Sequence, residues 1–269
     1  MQCAFQSIRG AVVAAAAGAF VLATPAHAQR FSRDYQSYEP AVEDLPYSGQ
    51  FTFARLSFVT GPGGFYYRGM PAWAHGYPDA EFHLLQIMDL LSTVKPRLDH
   101  SKVVQMDDPE LFKYPVAYMA EADFWVLGDK EVTELRKYLL KGGFIIFDDF
   151  RDPGRFGGTG WEGFQETMKR ILPQGTIVDL SPKDPIFHSF YEITSFGPEM
   201  LPRGYDDGAP VLRGIYQDND PTKRLMVMIN FNTDISDFWE FSGQGRYAVT
   251  QSNQGYKLGV NYLVYALSH

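Results

Sequence analysis

Cysteine is nearly absent from this chain: Cys3 is the only one in 269 residues, and it lies ahead of an apolar leader-like run. Disulfides therefore cannot brace the fold. Once such a leader is removed, no thiol is left to act as a nucleophile. Basic clusters are also missing. With 24 Lys and Arg against 32 Asp and Glu, the net charge is −8, which argues against a nucleic-acid-binding surface. Past the leader there is no apolar run near the ~20 residues that span a bilayer, so no stable membrane insertion is expected after cleavage. No two histidines stand four apart in the helical zinc spacing, and neither the dinucleotide fingerprint nor the phosphate-loop pattern is present.

What is present begins with that leader. A short segment with one positive charge, Arg9, precedes a 14-residue apolar run, Gly10 to Ala23, and then Ala26-x-Ala28. This order of charge, apolar run and small residues predicts a secretory signal peptide cut after Ala28. The protein is expected to be secreted across the inner membrane into the periplasm. Residues 29–50 are polar and proline-containing, without a period, and read as an extended N-terminal arm. Residues 51–269 read as one domain, long enough to build a core without disulfides.

Within that domain, strands and helices alternate. Residues 51–59 carry aromatic and β-branched side chains and read as a strand. A glycine- and aromatic-rich loop follows at 60–77, and Asp79 reads as the cap of a first helix whose apolar residues recur at spacings of three and four. Strands are predicted at 103–106 and 124–127, and a helix capped by Asp129 at 129–140. Next come a strand at 144–147, a helix from a Thr159-x-x-Glu162 capping box to 172, and a strand at 175–180. The remainder reads as an antiparallel hairpin (209–216 and 224–231) and a closing helix at 256–267. The predicted fold class is α/β, three-layered, with a mainly parallel sheet flanked by helices.

Residues 142–161 carry the first chemical question. A buried strand runs into Asp148 and Asp149, then a loop with Arg151, Arg155 and several glycines, then a helix start. Ligands of α/β proteins bind beyond the carboxyl ends of such strands. Two successive strand residues point to opposite faces, so one aspartate would face a cleft. That carboxylate would be a nucleophile, a base or a hard-metal ligand; alternatively, one aspartate caps the loop and the other pairs with Arg151 or Arg155. Glu81, on the inner edge of the first helix and close in sequence to His75 and Asp79, is a further candidate acid, with a first-turn dipole partner as its plainer role. His188, in a loop after the strand at 175–180, is a candidate base. Asp234, Asp237 and Glu240 stand among aromatics that include Trp239. Spaced acids suit calcium, although this is not an EF-hand loop. Acids beside aromatics suit a sugar-binding cleft, with turn caps and a core Trp239 as the plainer reading. Arg68 and Trp73 complete the expected rim, with Asp79, Arg151 and Arg155 as further ligand-binding candidates.

Several of these segments occur together in one order: residues 53–56, Trp73 with 77–81, 139–149, 184–187, 232–240, 257–262 and 265–267. Together they resemble the DUF4159 family over nearly the whole of residues 51–269. The resemblance implies a flavodoxin-like fold of the class I glutamine-amidotransferase-like type. It also implies a possible partnership with von Willebrand-A-type membrane proteins. The amidotransferase nucleophile would fall at about Asp148 or Asp149, where this chain has no thiol, so cysteine-dependent amidotransferase activity is not expected. The expectation is then a non-catalytic binding or accessory module of the cell envelope, taking a glycan or a protein partner in a cleft at the carboxyl edge of the sheet. The alternative is a carboxylate-based hydrolase on a carbohydrate-like substrate. No cofactor is required by the sequence, although carboxylates at that edge would suit a divalent metal.

Overall fold

The computed structural model describes residues 42, 45–66, 69–99, 101–149, 159–197 and 209–269. The leader, most of the arm, Arg68, Arg151, Arg155 and the glycine loop up to residue 158 lie outside the described residues. Among the described residues, no helix is long and apolar enough to cross a membrane.

Seven strands make one central sheet: β1 (Ala54–Ser57), β2 (Lys102–Gln105), β3 (Val116–Ala120), β4 (Phe144–Asp148), β5 (Val178–Asp179), β6 (Val211–Tyr216) and β7 (Leu225–Phe231). Their order across the sheet is β2-β1-β3-β4-β7-β6-β5. The first five in that order run parallel, while β6 is antiparallel to β7 and β5 is antiparallel to β6. The helices are α1 (Asp79–Leu91), α2 (Asp129–Leu140), α3 (Gly160–Ile171), the short α4 (Asp237–Glu240) and α5 (Val249–Ser268).

The strand sequences explain the layering. A strand covered on both faces reads as a continuous apolar run, with alternate residues sent to opposite sides. Ile145 and Phe147 of β4, with Met119 and Ile229, join Leu135, Leu139, Phe164 and Met168 of α2 and α3 in one core. Phe144 and Ile146, with Tyr118 and Met228, join Leu84 and Met88 of α1 and Leu258 and Leu263 of α5 in the other. Each fully buried side chain of this size contributes about 1.5–3 kcal/mol over leaving it exposed. Because α1 and α2 cover opposite faces, the chain changes sides between β1 and β3. Crevices for ligands open at such switch points, beyond the carboxyl ends of the strands.

Several local expectations are corrected. The strand expected at 124–127 is a two-residue piece, Trp125–Val126, paired antiparallel with Val59–Thr60 outside the main sheet. The sheet strand is instead Val116–Ala120, buried along its whole length. Its alanines suit a crowded central position, where packing rather than β-propensity decides. The 175–180 strand shrinks to the antiparallel edge pair Val178–Asp179. Thr159 and Glu162 form no capping box, because the Thr159 hydroxyl donates to the Asp123 carbonyl at 2.8 Å. Asp79 is the first helical residue of α1, after an N-cap at Pro78.

Helix α5 begins at Val249, earlier than expected, and crosses α4 and α1 closely at Gly259. A Cβ there would stand 2.6 Å from Trp239 Cζ2 and 2.8 Å from Leu84 Cδ1. Overpacking a rigid buried site costs about 1–3 kcal/mol, whereas alanine regains at most about 1 kcal/mol of helix propensity over glycine. Gly259→Ala is therefore expected to lower the urea unfolding midpoint. An unchanged or higher midpoint would mean that α5 shifts to accommodate the methyl group.

Candidate functional site

Three adjacent parallel strands, β3, β4 and β7, end at one edge of the sheet. The residue just past each has a left-handed backbone: Glu121 (φ 49°), Asp149 (φ 56°) and Asn232 (φ 57°). Non-glycine residues take this conformation at a cost of roughly 1–2 kcal/mol each, and such residues gather at functional sites. Three polar residues thus stand together at the same edge.

His75 reaches them from the loop after β1. Its Nδ1 is hydrogen-bonded to Asp149 Oδ2 and lies 3.0 Å from Glu121 Oε1. Gly76 allows this approach. Its φ is +70°, and a Cβ would stand 3.3 Å from Glu240 Oε2. The His75 side chain keeps 21% exposure while that of Asp149 has none, so the pair sits at the mouth of the site with the carboxylate inward. The Tyr66 ring lies 5.2 Å from the imidazole.

Asp148 has a different task. It is fully buried at the end of β4. Its Oδ1 accepts from Asn230 Nδ2 at 3.0 Å and from the Ile235 amide at 3.1 Å. Its Oδ2 accepts from the Tyr118 hydroxyl and the Ser236 amide, both at 2.9 Å. These bonds fasten the loop after β7, and that loop carries Asp234. The Asp234 Oδ1 in turn accepts from Ser236 Oγ at 2.7 Å and from the Asp237 amide at 3.0 Å, at the start of α4. Asp237 accepts from the Tyr247 hydroxyl at 2.5 Å.

The result is an excess of carboxylates around one imidazole. Burial disfavours the protonated form of His75, but the charge and hydrogen bond of Asp149, then Glu121, outweigh it and hold the ring well above its ordinary range. Asp234 is driven well above the carboxylate range by burial and by the charges of Asp149, Asp237 and Asp148. Burial also raises Glu240, and it pushes Asp148 up to about 6 against its hydrogen bonds.

Ligand atoms of His75, Asp149 and Asp234 all lie within 4.8 Å of one another, and so do those of His75, Asp237 and Glu240. Ligands 2.0–2.6 Å from one ion stand no more than about 5 Å apart. One imidazole with several carboxylates is a donor set suited to Mn²⁺, Zn²⁺ or a harder dication. The residues present thus fit a divalent cation both in spacing and in charge.

Sequence and structure agree only in part about these residues. Asp149, Asp237 and Glu240 come together as neighbours of His75. Asp148 lies beneath them as a loop anchor and does not face the opening. Glu81 is buried and ion-paired with Arg55, not free in a cleft. His188 is engaged on both ring nitrogens, by Glu192 at 2.6 Å and the Pro182 carbonyl at 2.7 Å. Its turn begins at Asp184, which accepts from Tyr216 at the end of β6, the edge of the sheet opposite Asp149. Trp73 and Trp239, expected to line a cleft, are core residues at 4% and 1% exposure. Asp79 is exposed in the first turn of α1. Arg68, Arg151 and Arg155 lie outside the described residues. Asp234, one of the spaced acids of residues 230–241, joins the same cluster, while two of its residues, His75 and Glu121, were not singled out as candidates. Glu121 follows β3 directly, as Asp149 follows β4, a place not visible while residues 124–127 are read as the strand.

The family model for DUF4159, a domain of unknown function, matches residues 53–267. No curated protein matches the chain.

Proposed function

This chain belongs to the DUF4159 family, and we propose that it is an exported hydrolase whose carboxyl-edge site holds a divalent cation between His75, Asp149 and Asp234 and acts on a carbohydrate-like substrate of the cell envelope. The observation that carries this reading is the convergence of those three donors within 4.8 Å at the mouth of the site. A cation there would supply an acidified water and polarise the bond to be cleaved. Asp149 holds the His75 ring in place, Glu121 braces it from the neighbouring strand, and Asp148 fixes the loop that presents Asp234. The Tyr66 ring beside His75 offers an aromatic face of the kind that packs on sugars. The strand order also supports a flavodoxin-like fold. Numbered by position along the chain, the five parallel strands run 2-1-3-4-5, the order of that fold. Placement within the class I glutamine-amidotransferase-like type is part of the same proposal, with Asp149 standing at the nucleophile turn.

The test is turnover. Purified protein supplied with Mn²⁺, Mg²⁺, Ca²⁺ or Zn²⁺ is incubated with peptidoglycan fragments and envelope glucans, and new reducing ends are measured. The expected result is release with at least one cation, abolished by a chelator and by His75→Gln. Retention of a glycan without cleavage under every cation would return the chain to the reading as a non-catalytic accessory module.

A further inference from the structure

We propose that Arg55 is a positioning residue for this site, fixing His75 from below through its main chain. The inference rests on the cation-site reading above and adds a residue that touches neither cation nor substrate. Arg55 lies on β1, in register with Tyr118 of β3, and is fully buried. Its Nε donates to Glu81 Oε1, while Nη1 donates to the Trp73 carbonyl at 2.9 Å and the His75 carbonyl at 2.8 Å. One guanidinium therefore closes the turn that delivers His75 to Asp149. The same group lies 4.8 Å from the centre of the Tyr118 ring, and the Tyr118 hydroxyl donates to Asp148. Both halves of the site, the His75 loop and the Asp148–Asp149 turn, thus rest on one side chain.

The form of the ion pair supports this role. A buried arginine–carboxylate pair gains most when it is bidentate, yet here Nη2 of Arg55 and Oε2 of Glu81 are buried without a hydrogen-bond partner among the described residues. The fork is turned toward the two carbonyls instead of closing fully on Glu81. For stability alone, a buried ion pair can usually be replaced by apolar side chains of similar volume. An apolar pair cannot hold two carbonyls in place.

That contrast gives the experiment. Arg55→Met combined with Glu81→Met removes both charges and keeps the volume, whereas Arg55→Lys keeps the charge and loses the fork. Three quantities are read in the full chain: the urea unfolding midpoint, the Mn²⁺ dissociation constant, and the downfield His75 ring N–H proton resonance, assigned by its loss in His75→Gln. The double variant is expected to fold with a lowered midpoint, because the Trp73 and His75 carbonyls lose their donor. It is expected to bind Mn²⁺ 10–100-fold more weakly, as loss of an outer-shell partner typically does, and to lose or shift the ring resonance. Arg55→Lys is expected to shift the same resonance and weaken binding, and it decides the matter if the double variant does not fold. Folded variants with wild-type affinity and an unmoved resonance would overturn the inference. If the wild type takes up no Mn²⁺, the cation reading fails, and the ring resonance alone still decides whether Arg55 positions His75.

Discussion

Asp149→Asn is expected to weaken Mn²⁺ binding at least about 100-fold, beyond the 10–100-fold typical of outer-shell changes, while moving the unfolding midpoint far less. Asparagine tolerates the left-handed backbone that this position requires, so the turn after β4 keeps its shape. What is lost is a carboxylate charge and an acceptor at the centre of the site. Asp149 is also the foremost group holding His75 above its ordinary pKa, so the His75 titration followed by NMR should move down in the variant. Part of the like-charge strain on Asp234 comes from Asp149, and its relief offsets some of the lost hydrogen bonding. Isothermal titration and urea unfolding of the same preparation check both halves of the expectation. A large fall in stability with unchanged affinity would make Asp149 a structural residue.

Asp148→Asn is expected to do the opposite, costing about 2–3 kcal/mol of stability at pH 7.5. Each carboxylate oxygen accepts two donors, and one donor of each pair is a backbone amide, of Ile235 or of Ser236. Whichever way the new amide is turned, its NH₂ group faces one of those buried N–H groups. Tyr118 and Asn230 can reorient to accept a bond; a backbone amide cannot. A buried donor left unpaired costs roughly 1–3 kcal/mol, a large share of the 5–15 kcal/mol by which domains are stable. The loop bearing Asp234 loosens with it, so cation affinity should fall as well. Urea unfolding of wild type and variant measures the difference. A change below about 0.5 kcal/mol would contradict the anchoring role.

These expectations show which parts of the molecule were readable in the chain. The strand–turn–helix passage around Asp149 was, because a buried apolar run, two acids and a glycine loop are local signals. The α/β alternation was legible for the same reason. The role of Glu81 was not, because its partner Arg55 sits on another strand and nothing in the spacing of residues 55 and 81 reports a pair. Glu121 was hidden by the misread strand: with 124–127 taken for β3, the residue just past Ala120 had no special place. His75 was visible only as a near neighbour of Asp79, since its contacts come from parallel pairing between strands far apart in sequence. His188 looked promising from its position after a strand, but β5 is an edge pair and the chain turns back along the sheet to Tyr216. Two-sided choices, such as which aspartate faces outward, needed the backbone at Asp149 to leave the strand conformation.

The most direct test of the central claim is calorimetric titration of Mn²⁺ into protein stripped of metal with a chelator. The account predicts saturable uptake that His75→Gln and Asp149→Asn each abolish and that His188→Gln leaves intact. No uptake by the wild type, or uptake that persists unchanged in the His75 and Asp149 variants, would contradict it.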